Sequence, residues 1–119
     1  MGIIEWILII LIIAYFVSRF MQVKGITNIS VQEAKGKFKD NDAQFIDVRT
    51  PGEYKANHRK PFKNIPLSNL SSKSVSLDKE KEVVVICQSG MRSAKAAKIL
   101  KKQGFQNISN VKGGMSSWV

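Results

Sequence analysis

Residues 82–93, EVVVICQSGMRS, give the strongest indication of the fold. This stretch begins with a run of apolar, mostly β-branched residues, which is typical of a strand buried on both faces in the middle of a parallel sheet. A short loop containing Gly90 follows, and residues 91–103 then have the composition of a helix. The order strand, tight loop and helix predicts that the backbone N–H groups of the loop converge at the positive end of the helix dipole.

Cys87, the only cysteine of the chain, is the first residue of that loop. Backbone N–H groups, the helix dipole and the charge of Arg92 would stabilise a thiolate there, and the thiolate is the form of cysteine that attacks electrophilic sulfur. The alternative is a small buried core cysteine at the end of a strand. A core cysteine requires neither the loop nor the arginine, so we interpret Cys87 as a reactive residue.

Strands and helices alternate on both sides of this stretch. Strands are predicted at 26–29, 44–48, 64–67, 82–87 and 107–111, and helical segments at 31–38, 51–55 and 91–103. Ser30 and Glu33 form a capping box before the first of these helices, and Gly104 is the expected left-handed residue after the last. Segment 68–76 is Ser-rich, with Leu70 as its one obvious anchor. The alternation predicts an α/β fold with a mostly parallel central sheet flanked by helices.

Composition excludes several classes of site. The single cysteine excludes an internal disulfide framework, and a single histidine, His58, argues against a metal cluster; no cofactor is predicted. The net charge of +10, from 19 Lys and Arg against 9 Asp and Glu, raises the question of nucleic-acid binding. The lysines are dispersed, however, without interleaved aromatic residues, finger spacing or an Arg-rich arm, so we predict no nucleic-acid partner.

The N-terminal segment, residues 3–23, is strongly apolar, with Glu5 and Arg19 near its ends and Trp6 and Tyr15 as interface-type residues. Its length approaches the roughly 20 residues of a membrane-spanning helix. A cleavable signal peptide would show a basic start and a small-residue cleavage site, and neither is present. A buried core helix would need a larger domain to cover it. We therefore predict a single-pass signal anchor over residues 1–23, which makes the lipid bilayer a partner, followed by one domain over residues 24–119.

Charge asymmetry predicts the orientation of this anchor. Positive residues follow the segment, from Arg19 and Lys24 onward, and none precedes it. The positive-inside rule then predicts a location at the cell membrane with the following domain in the cytoplasm. A reducing compartment also suits one unpaired thiol.

With these residues in view, the chain resembles the single-domain rhodanese family of sulfurtransferases. The resemblance covers about residues 26–118 and rests on the order of its motifs: Asp47-Val48-Arg49 with Glu53-Tyr54, Asn64-Ile65-Pro66-Leu67, the loop of residues 87–93, Gly104-Phe105, and Gly113-Gly114 with Trp118. Cys87 to Arg92 gives the spacing Cys-x4-Arg, which this family associates with sulfur transfer. Related phosphatases and arsenate reductases of the same fold use Cys-x5-Arg, so phosphatase activity is disfavoured.

The resemblance implies a two-step sulfur relay. Thiosulfate or a persulfide would donate its outer sulfur to Cys87, and the resulting persulfide would pass it to cyanide, a thiol or an acceptor protein. The catalytic residue is then Cys87, the substrate-binding residues are Gln88, Ser89, Gly90, Met91, Arg92 and Ser93, and the supporting residues are Asp47 and Arg49. Arg92 would pair with the sulfonate of the donor. Ser89 and Ser93 would either donate to sulfur or cap the helix.

One segment departs from the family pattern. Residues 57–62 read NHRKPF, where many relatives have Gly-His-Ile and a small Gly-Ala pair shortly afterwards. We interpret His58 as a structural hydrogen-bonding residue and not as a catalytic base. Two other functions stay open from the sequence: a tethered rhodanese-like binding module that transfers no sulfur, and a thiol redox sensor that uses Cys87.

Overall fold

A computed structural model of the protein describes residues 2–20 and 26–118. Its five strands form one sheet in the order β1-β5-β4-β2-β3, and every neighbouring pair is parallel. The strands are β1 (Ile26–Ile29), β2 (Ala43–Asp47), β3 (Lys63–Asn64), β4 (Glu82–Ile86) and β5 (Ile108–Val111). β4 lies in the centre, between β2 and β5, as its apolar run predicts. The predicted α/β fold with a mostly parallel sheet is confirmed.

The helices of the described residues are α1 (Ile3–Phe20), α2 (Val31–Gly36), α3 (Pro51–Ala56), α4 (Leu70–Lys73) and α5 (Met91–Lys102). Capping boxes begin two of them: Ser30 with Glu33 before α2, and Thr50 with Glu53 before α3. Each box satisfies backbone N–H groups that a helix start leaves without partners. Gly104, with φ of +101°, ends the α5 turn in the left-handed region as predicted.

The core lies on both faces of the sheet, so the side chains of β4 alternate between two apolar clusters. Val83 and Val85 pack with α5 residues such as Leu100, whereas Val84 and Ile86 pack on the opposite face with residues of the α2 side. These four apolar side chains of β4 are fully buried. Burial on both faces is the environment that favours a continuous β-branched run over strict alternation.

Two segments differ from their predictions. The predicted strand at 64–67 is the two-residue β3, because Pro66 cannot donate to a ladder and Leu67 already begins a 3-10 turn. The Ser-rich segment, for which no helix was predicted, contains α4 flanked by 3-10 turns, and Leu70 is fully buried. The predicted apolar anchor is confirmed, whereas the helical turns around it depend on its burial against α5 and were not predicted.

The unusual segment 57–62 contributes to the core through its last residue. Phe62 is buried and makes edge-to-face contacts with Phe38, Phe45 and Trp118, with ring centroids 6.1, 5.4 and 6.0 Å away respectively. Edge-to-face pairs at these distances add to the energy of area burial. A large aromatic residue at this position therefore belongs to the cluster that covers the α2 side of the sheet.

The helix α1 differs from the prediction of a transmembrane anchor. It has 18 residues, a length of about 27 Å at 1.5 Å per residue, and it includes both Glu5 and Arg19. Among the described residues, no helix has the length and apolar character needed to cross a membrane, so the predicted transmembrane helix is not supported. The predicted end of the anchor and the predicted domain boundary between residues 23 and 24 lie outside the described residues.

Candidate active site

Cys87 lies at the carboxyl end of the central strand, between β4 and α5. The chain turns through Gln88, Ser89 and Gly90, and α5 begins at Met91. Gly90 makes this turn possible because its φ of +101° lies in the left-handed region that residues with a Cβ rarely adopt. The tight turn and the helix start thus bring loop N–H groups toward the sulfur, as the sequence predicts.

The sulfur of Cys87 is fully buried in these surroundings. The Gly90 N–H donates to Sγ across 2.9 Å, and Sγ lies 3.3 Å from the Ser93 hydroxyl oxygen. Burial raises the pKa of the Cys87 thiol, whereas hydrogen bonds from the Ser93 hydroxyl and from the N–H groups of Ser93, Gly90 and Ser89 lower it. The hydrogen bonds prevail, and the pKa is below that of an ordinary cysteine. The loop therefore favours the thiolate.

A second layer of polar side chains lies behind Ser93. The Ser93 hydroxyl oxygen is 2.5 Å from Oδ1 of Asn110 on β5. Nδ2 of Asn110 in turn donates to Oδ1 of Asn28 on β1 across 3.2 Å. The two asparagines are register partners in the parallel β1–β5 pair. Ser93 and Asn110 are buried, whereas Asn28 is exposed at the sheet edge.

The chain segment after β5 supports the loop from behind. The Met115 N–H donates to the Cys87 carbonyl across 2.8 Å, and the Ser116 N–H donates to the Gln88 carbonyl across 2.9 Å. This approach requires Gly114, whose φ is +55° and where an added Cβ would collide with the Cys87 carbonyl oxygen. The Gly-Gly pair of the sequence is thus a contact surface for the reactive loop.

Arg92 forms an ion pair with Glu53 of α3 beside the loop. Its two terminal nitrogens donate to the two carboxylate oxygens across 2.6 and 2.9 Å, so the pair is bidentate. The hydrogen bonds from Arg92, opposed by partial burial, lower the pKa of Glu53 from 4.5 to about 2. The guanidinium keeps about a third of its side-chain surface exposed, which leaves it at the mouth of the loop.

The predicted supporting residues, Asp47 and Arg49, form a fully buried pair at the end of β2. Arg49 donates from Nε and Nη2 to the Asp47 carboxylate, with the shortest distance 2.8 Å. Nη2 also donates to the Asn57 carbonyl across 2.5 Å, and Nη1 donates to the Gln88 side-chain oxygen across 3.4 Å. Arg49 therefore connects β2, the unusual segment 57–62 and the Cys87 loop.

The structure brings together most of the site residues that the sequence predicts. Cys87, Gly90 and Ser93 contact one another, and the Asp47–Arg49 pair reaches the same loop through the Gln88 side chain. Gln88 and Ser89 are exposed in the loop, and Met91 points outward with 79% of its surface exposed.

The predicted structural role of His58 fits its contacts. Its ring stacks on Tyr54 with centroids 4.1 Å apart, and its Nδ1 lies 2.8 Å from the Tyr54 carbonyl oxygen.

Two residues of the cluster were not predicted as site residues: Glu53 and Asn110. Glu53 has a local signal, the capping box with Thr50, which describes one of its contacts but not its pairing with Arg92. Asn110 gives no sequence signal beyond its place in a strand. Within residues 2–20 and 26–118, no group of three or more His, Cys, Asp or Glu side chains could hold a metal ion.

Comparison with known proteins identifies the family of this chain. The family model of the rhodanese-like domain matches residues 30–119. The Bacillus subtilis (strain 168) protein YqhL, named only as uncharacterized, is 42% identical over 76 residues, which are 64% of this chain and 60% of YqhL. A second protein of that strain, provisionally named a sulfurtransferase, YtwF, is 37% identical over 98 residues, 82% of this chain and 92% of YtwF.

A solved structure is similar over the same region. The crystal structure of a rhodanese-like domain protein from Staphylococcus aureus matches with a TM-score of 0.71 and 31% identity, and the match covers 78% of this chain and 91% of that one. The family match includes strands β2 to β5, the Cys87 loop and the Gly113-Gly114 segment that supports it. This chain therefore belongs to the rhodanese-like domain family, whose members include sulfurtransferases.

Proposed function

We propose that this protein is a sulfurtransferase that carries a sulfane sulfur as a persulfide on Cys87. The observation that carries the proposal is the Gly90 N–H aimed at Sγ from 2.9 Å at the start of α5. Together with the lowered pKa of the thiol, this contact supports a nucleophilic thiolate held in a fixed position. The provisional sulfurtransferase name of YtwF agrees with this chemistry.

With thiosulfate as donor, the Cys87 thiolate attacks the outer sulfur. A new S–S bond forms at Sγ while the S–S bond of thiosulfate breaks, and sulfite leaves with the electron pair. With a persulfide donor, the leaving group is a thiolate. An acceptor such as cyanide, a thiol or a protein thiol then attacks the outer sulfur of the Cys87 persulfide, and the Cys87 thiolate leaves. Loop N–H groups stabilise the negative charge of the Cys87 thiolate and of the Cys87 persulfide.

Arg92 is proposed to bind the sulfonate end of the donor. Because both of its terminal nitrogens hold Glu53, the sulfonate must either share the guanidinium or displace the carboxylate. The exposure of the Arg92 side chain, 36%, supports access from solvent. Glu53 would then occupy the guanidinium whenever the donor is absent.

The complete burial of Cys87 bears on the donor's size. Since the thiol has no exposed surface in this conformation, a donor reaches Sγ only when the loop opens. A small or linear donor requires the smallest opening, which supports thiosulfate and low-molecular-weight persulfides over bulky disulfides.

Intact mass of the full-length chain after incubation with thiosulfate tests the proposal. The expected result is the gain of one sulfur atom, its removal by cyanide, and no gain in the Cys87→Ser variant. Circular dichroism of the variant checks that its fold is retained. No adduct with thiosulfate or with small persulfides would overturn the proposal and favour a rhodanese-like binding module or a thiol redox sensor.

We also propose that the protein attaches to the cell membrane through α1, with the rhodanese-like domain on the cytoplasmic side. The proposal rests on the large apolar side chains from Ile3 to Val17, which are between 48% and 79% exposed with the exception of the half-buried Ile9. Continuous apolar surface of this kind requires cover by lipid or protein. Flotation of the full-length chain with anionic lipid vesicles tests the attachment. Recovery of the chain in the lipid-free fraction would contradict it.

A further inference from the structure

A continuous line of polar side chains runs from Cys87 to the edge of the sheet. It passes from Sγ to the Ser93 hydroxyl at 3.3 Å, to Asn110 Oδ1 at 2.5 Å, and from Asn110 Nδ2 to Asn28 Oδ1 at 3.2 Å. Cys87 and Ser93 have no exposed surface, and Asn110 has 7%. Asn28, at the far end, is the exposed member of the line.

The Ser93 hydroxyl carries one proton and can therefore donate to only one acceptor at a time. Three acceptors lie within reach of that proton: Asn110 Oδ1, the Gly90 carbonyl at 3.1 Å, and Sγ when the sulfur is a thiolate. Asn110 Oδ1 is the closest of the three, and the bond from Asn110 Nδ2 to Asn28 keeps Oδ1 turned toward Ser93. In this arrangement Ser93 donates to Asn110 and accepts from the Cys87 thiol.

We infer that the Asn110 carboxamide, oriented by Asn28, is a positioning group that sets the direction of the Ser93 hydroxyl and thereby the protonation state of Cys87 that the loop favours. With Oδ1 toward Ser93, the hydroxyl proton is directed at Asn110, and the backbone N–H groups of the loop are left to stabilise the thiolate without it. With the Asn110 amide turned over, Nδ2 donates to Ser93 and the hydroxyl proton is free to point at the thiolate.

Apart from solvent, which takes up the thiol proton when the loop opens, the reversal needs only the groups in the line. The thiol proton leaves to water, the Ser93 hydroxyl rotates toward Sγ, and the amides of Asn110 and Asn28 each turn over. The Asn28 amide can exchange its partner for water because it is exposed. The inner residues keep a hydrogen bond throughout, which matters because an unpaired buried polar group costs about 1–3 kcal/mol.

The charged groups around Cys87 stay constant in this reversal. Arg92 of α5 interacts electrostatically with Cys87 and is paired with Glu53 of α3. Asp47 at the end of β2 is paired with Arg49. None of these four residues contacts Asn110 or Asn28 through a side-chain hydrogen bond, so variants at the two asparagines leave both ion pairs in place.

A pH titration of the thiolate by its ultraviolet absorbance in the full-length chain tests the inference, with the Cys87→Ser variant subtracted as background. Asn28→Asp introduces an acceptor-only group that holds Asn110 in the observed orientation. It is expected to reduce the thiolate fraction about tenfold at pH values below the pKa, which corresponds to one pKa unit. Asn110→Leu removes the competing acceptor and is expected to increase the thiolate fraction.

Two controls separate this effect from added charge and from damage to the fold. Thr27→Asp adds the same charge at a neighbouring exposed position of β1 and is expected to leave the titration unchanged. In a Ser93→Ala background, Asn28→Asp is expected to lose its effect, since the hydroxyl that transmits it is absent. Equal shifts in Thr27→Asp and Asn28→Asp, or a shift that persists without Ser93, would overturn the inference.

The importance of the Asn110 positioning role for sulfur transfer rests on the proposed function, whereas the thiolate titration that tests the role does not. If the titrations shift as expected while thiosulfate loads no sulfur, the proposed function fails and the positioning role stands. If sulfur loading succeeds while the asparagine variants titrate like the unmodified chain, the positioning role fails alone.

Discussion

At the residue scale, the two ion pairs beside Cys87 differ mainly in burial. The Asp47–Arg49 pair has side chains 1% and 2% exposed, whereas Glu53 and Arg92 are 33% and 36% exposed. A buried charge depends on its partner because water cannot replace that partner, and an exposed pair is weakened by solvent. The first pair therefore belongs to the stability of the fold, and the second can exchange partners.

Arg49→Met is expected to destabilise the protein by about 3–5 kcal/mol, because it leaves the Asp47 carboxylate buried without a cation. Urea unfolding followed by circular dichroism measures this loss. The double variant Asp47→Leu with Arg49→Met removes both charges and should recover part of the stability. A loss below about 1 kcal/mol in Arg49→Met would show that the carboxylate finds another partner.

The Glu53–Arg92 pair is expected to make stability depend on acid pH. Because the folded-state pKa of Glu53, about 2, lies below its ordinary value of 4.5, the pair contributes above pH 4.5 and its contribution is lost as the pH falls toward 2. The melting temperature of Glu53→Gln should lie below that of the unmodified chain at neutral pH, and the gap should close in that window. The exposure of the pair limits the effect to about 1 kcal/mol or less.

Glu80→Gln is the matched control for this pH dependence, since Glu80 is exposed and outside the pair. Its gap to the unmodified chain should stay constant between neutral pH and pH 2. A gap for Glu53→Gln that stays equally constant would contradict the assigned role of the ion pair.

The sequence pattern predicts the residues of the loop but not their distant partners. Cys87, Gly90 and Ser93 lie within seven consecutive positions, so strand, turn and helix signals locate them together. Glu53 lies 39 positions from Arg92, and Asn110 lies 17 positions from Ser93. These contacts arise from strand order and helix packing, which a pattern read along one chain does not contain.

At the element scale, the loop between β4 and α5 is supported by the turn that follows β5. The carbonyls of Cys87 and Gln88 accept from Met115 and Ser116, so the position of the sulfur depends on a backbone approach across two elements. The backbone at Gly114 comes close enough to the Cys87 carbonyl that a methyl group cannot be added without movement.

Gly114→Ala is expected to destabilise the protein by about 2–4 kcal/mol, from left-handed backbone strain and from displacement of the Cys87 carbonyl. Sulfur loading, measured by intact mass, should fall with it because the loop moves. Gly52→Ala on α3 is the control, since its added Cβ would meet no atom within 4 Å. Equal stability of the two variants would contradict the support role of Gly114.

Strand and helix signals in the sequence succeed where the local pattern matches the tertiary environment. β4 was predicted correctly because its β-branched run is the pattern that burial on both faces of a sheet favours. The strand predicted at 64–67 was too long because Pro66 has no N–H for the ladder and a 3-10 turn begins at Leu67. For α4, a Ser-rich composition favours a loop, and the burial of Leu70 overrides it.

At the scale of the whole molecule, α1 and the rhodanese-like domain make separate contributions. Neither of the two apolar clusters formed by the described residues includes a side chain of α1. The stability of the sheet and its flanking helices therefore comes from residues 26–118.

Removal of residues 1–25 is expected to change the melting temperature by less than about 4 °C, the shift that corresponds to about 1 kcal/mol in a domain of this size. Thermal unfolding of the shortened and full-length chains, in the same detergent, measures the difference. Sulfur loading of Cys87 should also be unchanged. A larger fall in melting temperature would mean that α1 packs on the domain more extensively than the core clusters indicate.

The pairing of β1 with β5 has a consequence for synthesis on the ribosome. β1 is among the first parts of the domain to be made, yet its partner in the sheet, from Ile26 opposite Ile108 to Ile29 opposite Val111, is the last strand. Contacts this distant along the chain are slow to form because the intervening loop must close first. A nascent chain that stops before residue 108 would leave β1 unpaired and one edge of β4 open, so the thiol loop would lack both its Asn110 partner and its supporting turn until translation is nearly complete.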